Sequence, residues 1–167
     1  MPLYSKTIIE HFKKPRNVGE IKNPNGEGQA GNIICGDVMK IYLKIKKNKK
    51  GEEIIEDIKF KTLGCMVAIA NTSLLTTMVK GKTIKQALEI RKEDLIKKLG
   101  KPLPATKIHC SLLALDALKE AIYDYYKRKN IEMPKELEKE HQRILKINQE
   151  LEKRYKKFQN FEKEILK

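Results

Sequence analysis

"DVMKIYLKIK", residues 37–46, decides the fold. Met39, Ile41, Leu43 and Ile45 fall on one face of an extended chain, with Lys40, Lys44 and Lys46 on the other. That period of two specifies a strand with one buried and one wet face. "KNKKGEE" turns the chain, and "IIEDIKFKTL" resumes the alternation, with Ile58 and Phe60 set against Asp57, Lys59 and Lys61. The two segments predict an antiparallel hairpin.

Downstream, the period lengthens to that of helices. "CMVAIANTSLLTTMVKG" opens at Cys65 and stops at Gly81, a C-cap glycine. "TIKQALEI", capped by Thr83, and "KEDLIKKLG" are two short helices. After "LP", the stretch "ATKIHCSLLALDALKEAIYDYYKRK" predicts a long amphipathic helix with Thr106 as its cap. Upstream, "SKTIIEHFKK" reads as a short helix capped by Ser5, with Ile8, Ile9 and Phe12 as its apolar stripe. The glycines and prolines of "PRNVGEIKNPNGEGQAGN" make residues 15–32 a loop or turn region. Strands followed by helices predict an α+β domain, a small antiparallel sheet with helices packed on one face.

The tail differs. From about Met133, Leu137, Ile144, Leu151, Phe158 and Ile165 recur every seven residues among Lys and Glu. The positions between them (Glu140, Ile147, Arg154 and Phe161) are only half apolar. This predicts a C-terminal amphipathic helical extension that packs on the domain or self-associates. The expected division is residues 1–130 for the domain and 131–167 for the extension.

Composition excludes several classes. With 40% hydrophobic and 35% charged residues the 167-residue chain is a globular one. No apolar run spans a bilayer, and Glu10 and His11 interrupt any signal-peptide core, so a cytoplasmic location is expected. The net charge of +14 invites a nucleic-acid reading. However, the basic residues are spread along the chain and aromatic residues are only 6%, which favours a solvated Lys/Glu-rich surface instead.

Three cysteines remain, none in a Cys-x-x-Cys pair, which excludes a zinc ribbon or a dithiol redox motif. Each lies at an element boundary: Cys35 where loop becomes strand, two residues before Asp37; Cys65 after Gly64, opening a helix; and Cys110 beside His109, opening the long helix. Helix starts stabilise thiolate over thiol. If these boundaries converge, Cys35, Cys65 and Cys110 supply three soft donors, with Asp37 and His109 as candidates for a fourth. That set suits zinc, iron or an iron–sulfur cluster. His11 and His141 have no cysteine nearby and read as surface or packing residues.

Cys-Gly-Asp, Gly-Cys and His-Cys-Ser, in this order and at these separations, resemble the IscU/NifU-type iron–sulfur cluster assembly scaffold over about residues 2–128. "HFKKPRNVG", "GNIICGDVMKIYLKI", "IKFKTLGCMVAIANTS" and "LPATKIHCSLLALDALKEAI" carry the resemblance. It implies a non-enzymatic scaffold on which a [2Fe–2S] cluster is built and then passed to apo iron–sulfur proteins. Its ligand positions fall on Cys35, Asp37, Cys65, His109 and Cys110. An IscS/NifS-like cysteine desulfurase is implied to deliver persulfide sulfur chiefly to Cys110, with Lys107 helping ligand exchange. Asp37 is implied to keep the cluster labile, and Tyr4 matches a tyrosine linked to dimer formation. A homodimer or higher oligomer is thus among the expected assemblies, with no membrane and no specific nucleic acid. The family's chaperone motif, Leu-Pro-Pro-Val-Lys, stands here as "LPATK", which puts a dedicated Hsp70-type partner in doubt.

Four alternatives compete with this. A zinc-binding, SufU-like sulfur acceptor or a structural zinc site would use the same ligands. His109 and the lack of an insertion between Cys65 and Cys110 favour the scaffold. A nucleic-acid module would rest on the Lys-rich hairpin. A thiol enzyme with Cys110 and His109 meets a geometric obstacle, since adjacent helix residues point about 100° apart.

Overall fold

The computed structural model describes residues 4–32, 36–100, 103 and 107–165. Among them lie three strands, β1 (Gly26–Gly31), β2 (Val38–Lys47) and β3 (Glu53–Leu63), and six helices: α1 (Lys6–Lys13), α2 (Met66–Val79), α3 (Ile84–Leu88), α4 (Lys92–Leu99), α5 (His109–Lys129) and α6 (Lys135–Ile165). The sheet runs β1-β2-β3, antiparallel throughout. The expected hairpin is β2–β3, with Ile41 opposite Phe60 and a bulge at Lys44/Ile45. Met39, Ile41, Leu43, Ile58 and Phe60 are all buried.

β1 corrects the sequence reading, which left "GEGQAG" as loop. Its glycines serve close packing rather than turning. A Cβ on Gly28 would stand 2.1 Å from the Ala121 nitrogen, and one on Gly26 would stand 2.4 Å from the Ala121 carbonyl oxygen. α5 therefore lies directly on the β1 backbone, which only glycine permits. With Ala30 as its one apolar side chain, the strand carried no period-two signal.

α5 buries Leu113, Leu118 and Ile122 against the sheet, each contributing about 1.5–3 kcal/mol of apolar transfer. α2 lies between α1, α5 and β3 and is buried on nearly all sides, polar Asn71, Thr72, Ser73 and Thr76 included. Most of these polar groups find partners, although Asn71 Oδ1 has none among the described residues. Ser73 Oγ accepts from the Arg16 N–H at 2.8 Å and lies 2.7 Å from His11 Nδ1, while Thr76 Oγ1 accepts from Asn17 at 2.9 Å. His11 thus takes the buried position expected of Phe12, which is 38% exposed. Ser5 caps α1 as expected, and Thr83 closes a capping box with Gln86 on α3. α5 begins at His109 with Ile108 as its N-cap; the expected cap, Thr106, lies outside the described residues.

α6 packs on the domain through its heptad residues Leu137, Ile144 and Leu151, all buried, whereas Phe158 is 63% exposed. Arg143 reaches Asp116 of α5 in a two-point contact, and His141 stacks on Tyr123 with its Nδ1 3.0 Å from Glu120. Asn148 covers the free edge of β1, accepting from the Gly31 N–H and donating to the Gln29 carbonyl, both at 3.0 Å. An edge strand left bare would template aggregation.

Candidate metal centre

The start of β2, the N-terminus of α2 and the first turn of α5 meet at one end of the sheet. They bring Asp37, Cys65 and Cys110 together, with one donor atom from each lying within 4.8 Å of the others. Cys65 Sγ stands 3.7 Å from Cys110 Sγ. Asp37 is buried, and its carboxylate accepts from the Cys65 N–H at 3.3 Å. A turn closes this end of the site: the Asn32 N–H donates to the Asp37 carbonyl and the Gly36 N–H to the Asn32 carbonyl, each at 2.8 Å. Gly36 needs its φ of +72°, which favours glycine.

Cys65 is the N-cap of α2. Its hydrogen bond with the Cys110 thiol favours its thiolate most, and the backbone groups of Ala68 and Val67 favour it as well. Burial and the negative Asp37 oppose them, and the balance brings Cys65 down to about 6. Cys65 is half-buried, whereas Cys110 is fully buried. Asn71 donates to the Cys110 carbonyl at 3.1 Å, tying the start of α5 to α2. Sequence reasoning missed this residue, although a lone Asn within "VAIANTSLL" was a visible signal.

The other expected site residues fall elsewhere. His109 is not in the Asp37–Cys65–Cys110 cluster. It lines a cleft of 240 Å³ with Asn32, Asp116 and Arg143, and its buried Nε2 has no hydrogen-bond partner among the described residues. Lys107 lies two residues before α5, and Cys35 lies outside the described residues. The donor chemistry fits a thiophilic metal: two thiols and a carboxylate suit iron or zinc and poorly suit calcium or magnesium.

Some of the lysines on the hairpin and beside it are held in ion pairs. Lys40 pairs with Glu27, Lys46 with Glu56, Lys61 with Glu20 and Lys80 with Asp57. No helix among the described residues is long and apolar enough to cross a membrane.

Fold and site together define a class: an α+β domain that gathers cysteine thiols and a carboxylate at the joined ends of its sheet and helices. Residues 3–132 match the model of the NifU-like N terminal domain, and the chain belongs to that family. The iron-sulfur cluster assembly scaffold protein IscU 1 of Archaeoglobus fulgidus is 48% identical over 144 residues, covering 82% of this chain and 90% of the relative. The iron-sulfur cluster assembly scaffold protein IscU of Rickettsia prowazekii is 48% identical over 131 residues, covering 76% and 95%. Among solved structures, the N-terminal part of a nitrogen-fixing NifU-like protein from Brucella abortus superposes with a TM-score of 0.59 at 18% identity. That match covers 75% of this chain and 96% of the other, and it bears on the fold alone.

Proposed function

We propose that this chain is a scaffold for iron–sulfur cluster assembly, holding a [2Fe–2S] cluster as cargo and releasing it to apo-proteins. The observation that carries the reading is the convergence of Asp37, Cys65 and Cys110 donors within 4.8 Å in a chain 48% identical to named scaffolds. Cys35, Cys65 and Cys110 hold the cargo as thiolates, and Asp37 or His109 completes the set. A carboxylate binds iron–sulfur chemistry more weakly than a fourth thiolate would, so the cargo stays exchangeable. His109 reaches the cargo by a change of rotamer or of the α5 entry.

Sulfur arrives as a persulfide from a cysteine desulfurase. The donor's S–S bond breaks as a new one forms on the receiving thiolate, Cys110, and an electron donor then reduces the persulfide to sulfide. Cys110 is fully buried, so sulfur transfer requires the first turn of α5 to open, and Lys107 lies two residues before it. Release follows by ligand exchange: acceptor thiolates bond to iron as those of this chain leave. The protein acts stoichiometrically, without turnover of a small substrate.

A second reading is favoured by the 3.7 Å separation of Cys65 and Cys110. Two thiolates sharing one tetrahedral metal with bonds of about 2.3 Å stand about 3.8 Å apart. The spacing fits one zinc ion as well as one iron of a cluster.

Anaerobic incubation with ferrous iron, cysteine, a reductant and a cysteine desulfurase separates the two. The scaffold reading predicts sulfide-to-iron charge-transfer bands with near-equal iron and sulfide, lost in Cys35→Ser, Cys65→Ser and Cys110→Ser. Tightly held zinc with no cluster under any condition supports the zinc reading instead.

A further inference from the structure

The C-terminal helix does more than cover the sheet edge. Asn148, Leu151 and Tyr155 occupy one face of α6 at helical spacing. Asn148 sets the register against β1 through its two bonds to Gln29 and Gly31. Leu151 sits on Gly31 so closely that a Cβ there would come within 2.3 Å of its Cδ2. One turn on, the Tyr155 hydroxyl donates to the Gly36 carbonyl at 2.9 Å.

That carbonyl belongs to the peptide joining Gly36 to Asp37. The turn is already closed from within by the two backbone bonds between Asn32 and residues 36 and 37, and Tyr155 holds it from outside. Its ring lines a cleft of 370 Å³ with Gly36, Leu151, Arg154 and Phe158. A phenylalanine ring would occupy the same space, so the hydroxyl is the part that reaches the turn. The register set by Asn148 and Leu151 brings it there.

We infer that Tyr155 is a positioning residue for the Gly36–Asp37 turn. It fixes the peptide that carries Asp37, keeping the carboxylate turned toward Cys65 and Cys110 and so keeping the cargo exchangeable. Tyr155 acts through its hydrogen bond to the Gly36 carbonyl and has no hydrogen bond to Asp37, Cys65 or Cys110. The inference rests on the scaffold reading of the Asp37–Cys65–Cys110 site. A neutral, partly exposed hydrogen bond shifts an equilibrium by roughly two- to tenfold, which sets the size of the expected effect.

The test is Tyr155→Phe in the full chain, with Phe161→Ala as the control on an exposed residue of the same helix (59% exposed). In the metal-free protein, Tyr155→Phe should speed hydrogen exchange of the Gly36 amide roughly two- to tenfold, leaving core amides such as Ile41 and Leu118 unchanged. In protein loaded with ferrous iron and sulfide, the starting iron and sulfide per chain should match the parent. Loss of iron to an excess of ferrous chelator should slow by a similar factor, the direction expected of Asp37→Ala. Phe161→Ala should change neither rate. Unaltered exchange and unaltered release in Tyr155→Phe, or an equal effect of Phe161→Ala, overturns the assignment. Failure of the parent chain to take up iron and sulfide contradicts the scaffold reading, and Gly36 exchange then decides the role of Tyr155 on its own.

Discussion

The Asp37 carboxylate accepts a hydrogen bond from the Cys65 N–H, 3.3 Å away, so one residue serves both as candidate ligand and as acceptor at the start of α2. The two roles pull substitution in opposite directions. In the metal-free protein, Asp37→Ala leaves a helix-start N–H without its acceptor and should cost about 0.5–2 kcal/mol, as loss of a helix cap does. In the loaded protein, loss of the carboxylate should lengthen the life of the cluster. Urea unfolding of the metal-free form and decay of the visible bands of the loaded form measure the two effects separately.

Burial orders the reactivity of the two described thiols. Cys65 is half-buried and holds its thiolate down to about pH 6, while Cys110 is fully buried. In metal-free protein near neutral pH, iodoacetamide should label Cys65 well before Cys110. Peptide mapping over time checks the order. Labelling of Cys110 first would mean that the start of α5 opens more readily than its packing suggests.

The contact between β1 and α5 is backbone on backbone and cannot yield. Gly28→Ala puts a methyl group 2.1 Å from the Ala121 nitrogen. Overpacking of a rigid site typically costs 1–3 kcal/mol, occasionally more, and here about 3 kcal/mol or more is expected. Gly51 has nothing within 4 Å of such a Cβ but has a φ of +80°. Gly51→Ala therefore reports backbone strain alone and should cost less. Thermal unfolding of both variants checks the ranking.

His11 gives the stability a pH dependence. Burial, and then the neighbouring Arg16, hold His11 below its ordinary value of 6.5. Above that value the ring is neutral in folded and unfolded chains alike, and its contribution is fully present. As the pH falls below 6.5, the unfolded chain takes up a proton that the folded chain resists, so stability declines towards the lowered folded value. Urea midpoints at about pH 7.5 and about pH 5.5 should therefore diverge more in the parent than in His11→Gln.

Asn148 tests whether α6 belongs to the folded unit or merely follows it. Asn148→Ala strands the Gly31 N–H and the Gln29 carbonyl at the sheet edge. Two such bonds correspond to about 1–3 kcal/mol. The measurement is hydrogen exchange, with the Gly31 amide expected to lose protection while the β2–β3 amides keep theirs.

The alternation of Met39, Ile41, Leu43 and Ile45 made β2 legible because one face of the sheet is wet, and a wet face writes its period into the residues. Ser5 and Thr83 were legible as caps for the same local reason: their partners lie within a few residues. β1 was not legible. It is held by glycine backbone against α5, and glycine leaves no hydrophobic period. Asp37, Cys65 and Cys110 could be picked out as chemistry-bearing residues at element boundaries, yet their convergence depends on how distant elements pack. Asn71 stood out as a lone amide in an apolar helix, but its partner carbonyl, 39 residues on, did not, and Tyr155 was beyond reach because it acts on a carbonyl 119 residues away.

Transfer is the most direct test of the central claim. Chain loaded anaerobically with iron and sulfide is mixed with an apo-ferredoxin, and iron and sulfide on each protein are measured after separation, beside a control of free iron and sulfide. The account predicts that both elements pass to the ferredoxin together, faster than from the free ions, leaving this chain empty and able to load again. A load that stays on the chain, or iron that leaves without its sulfide, would contradict it.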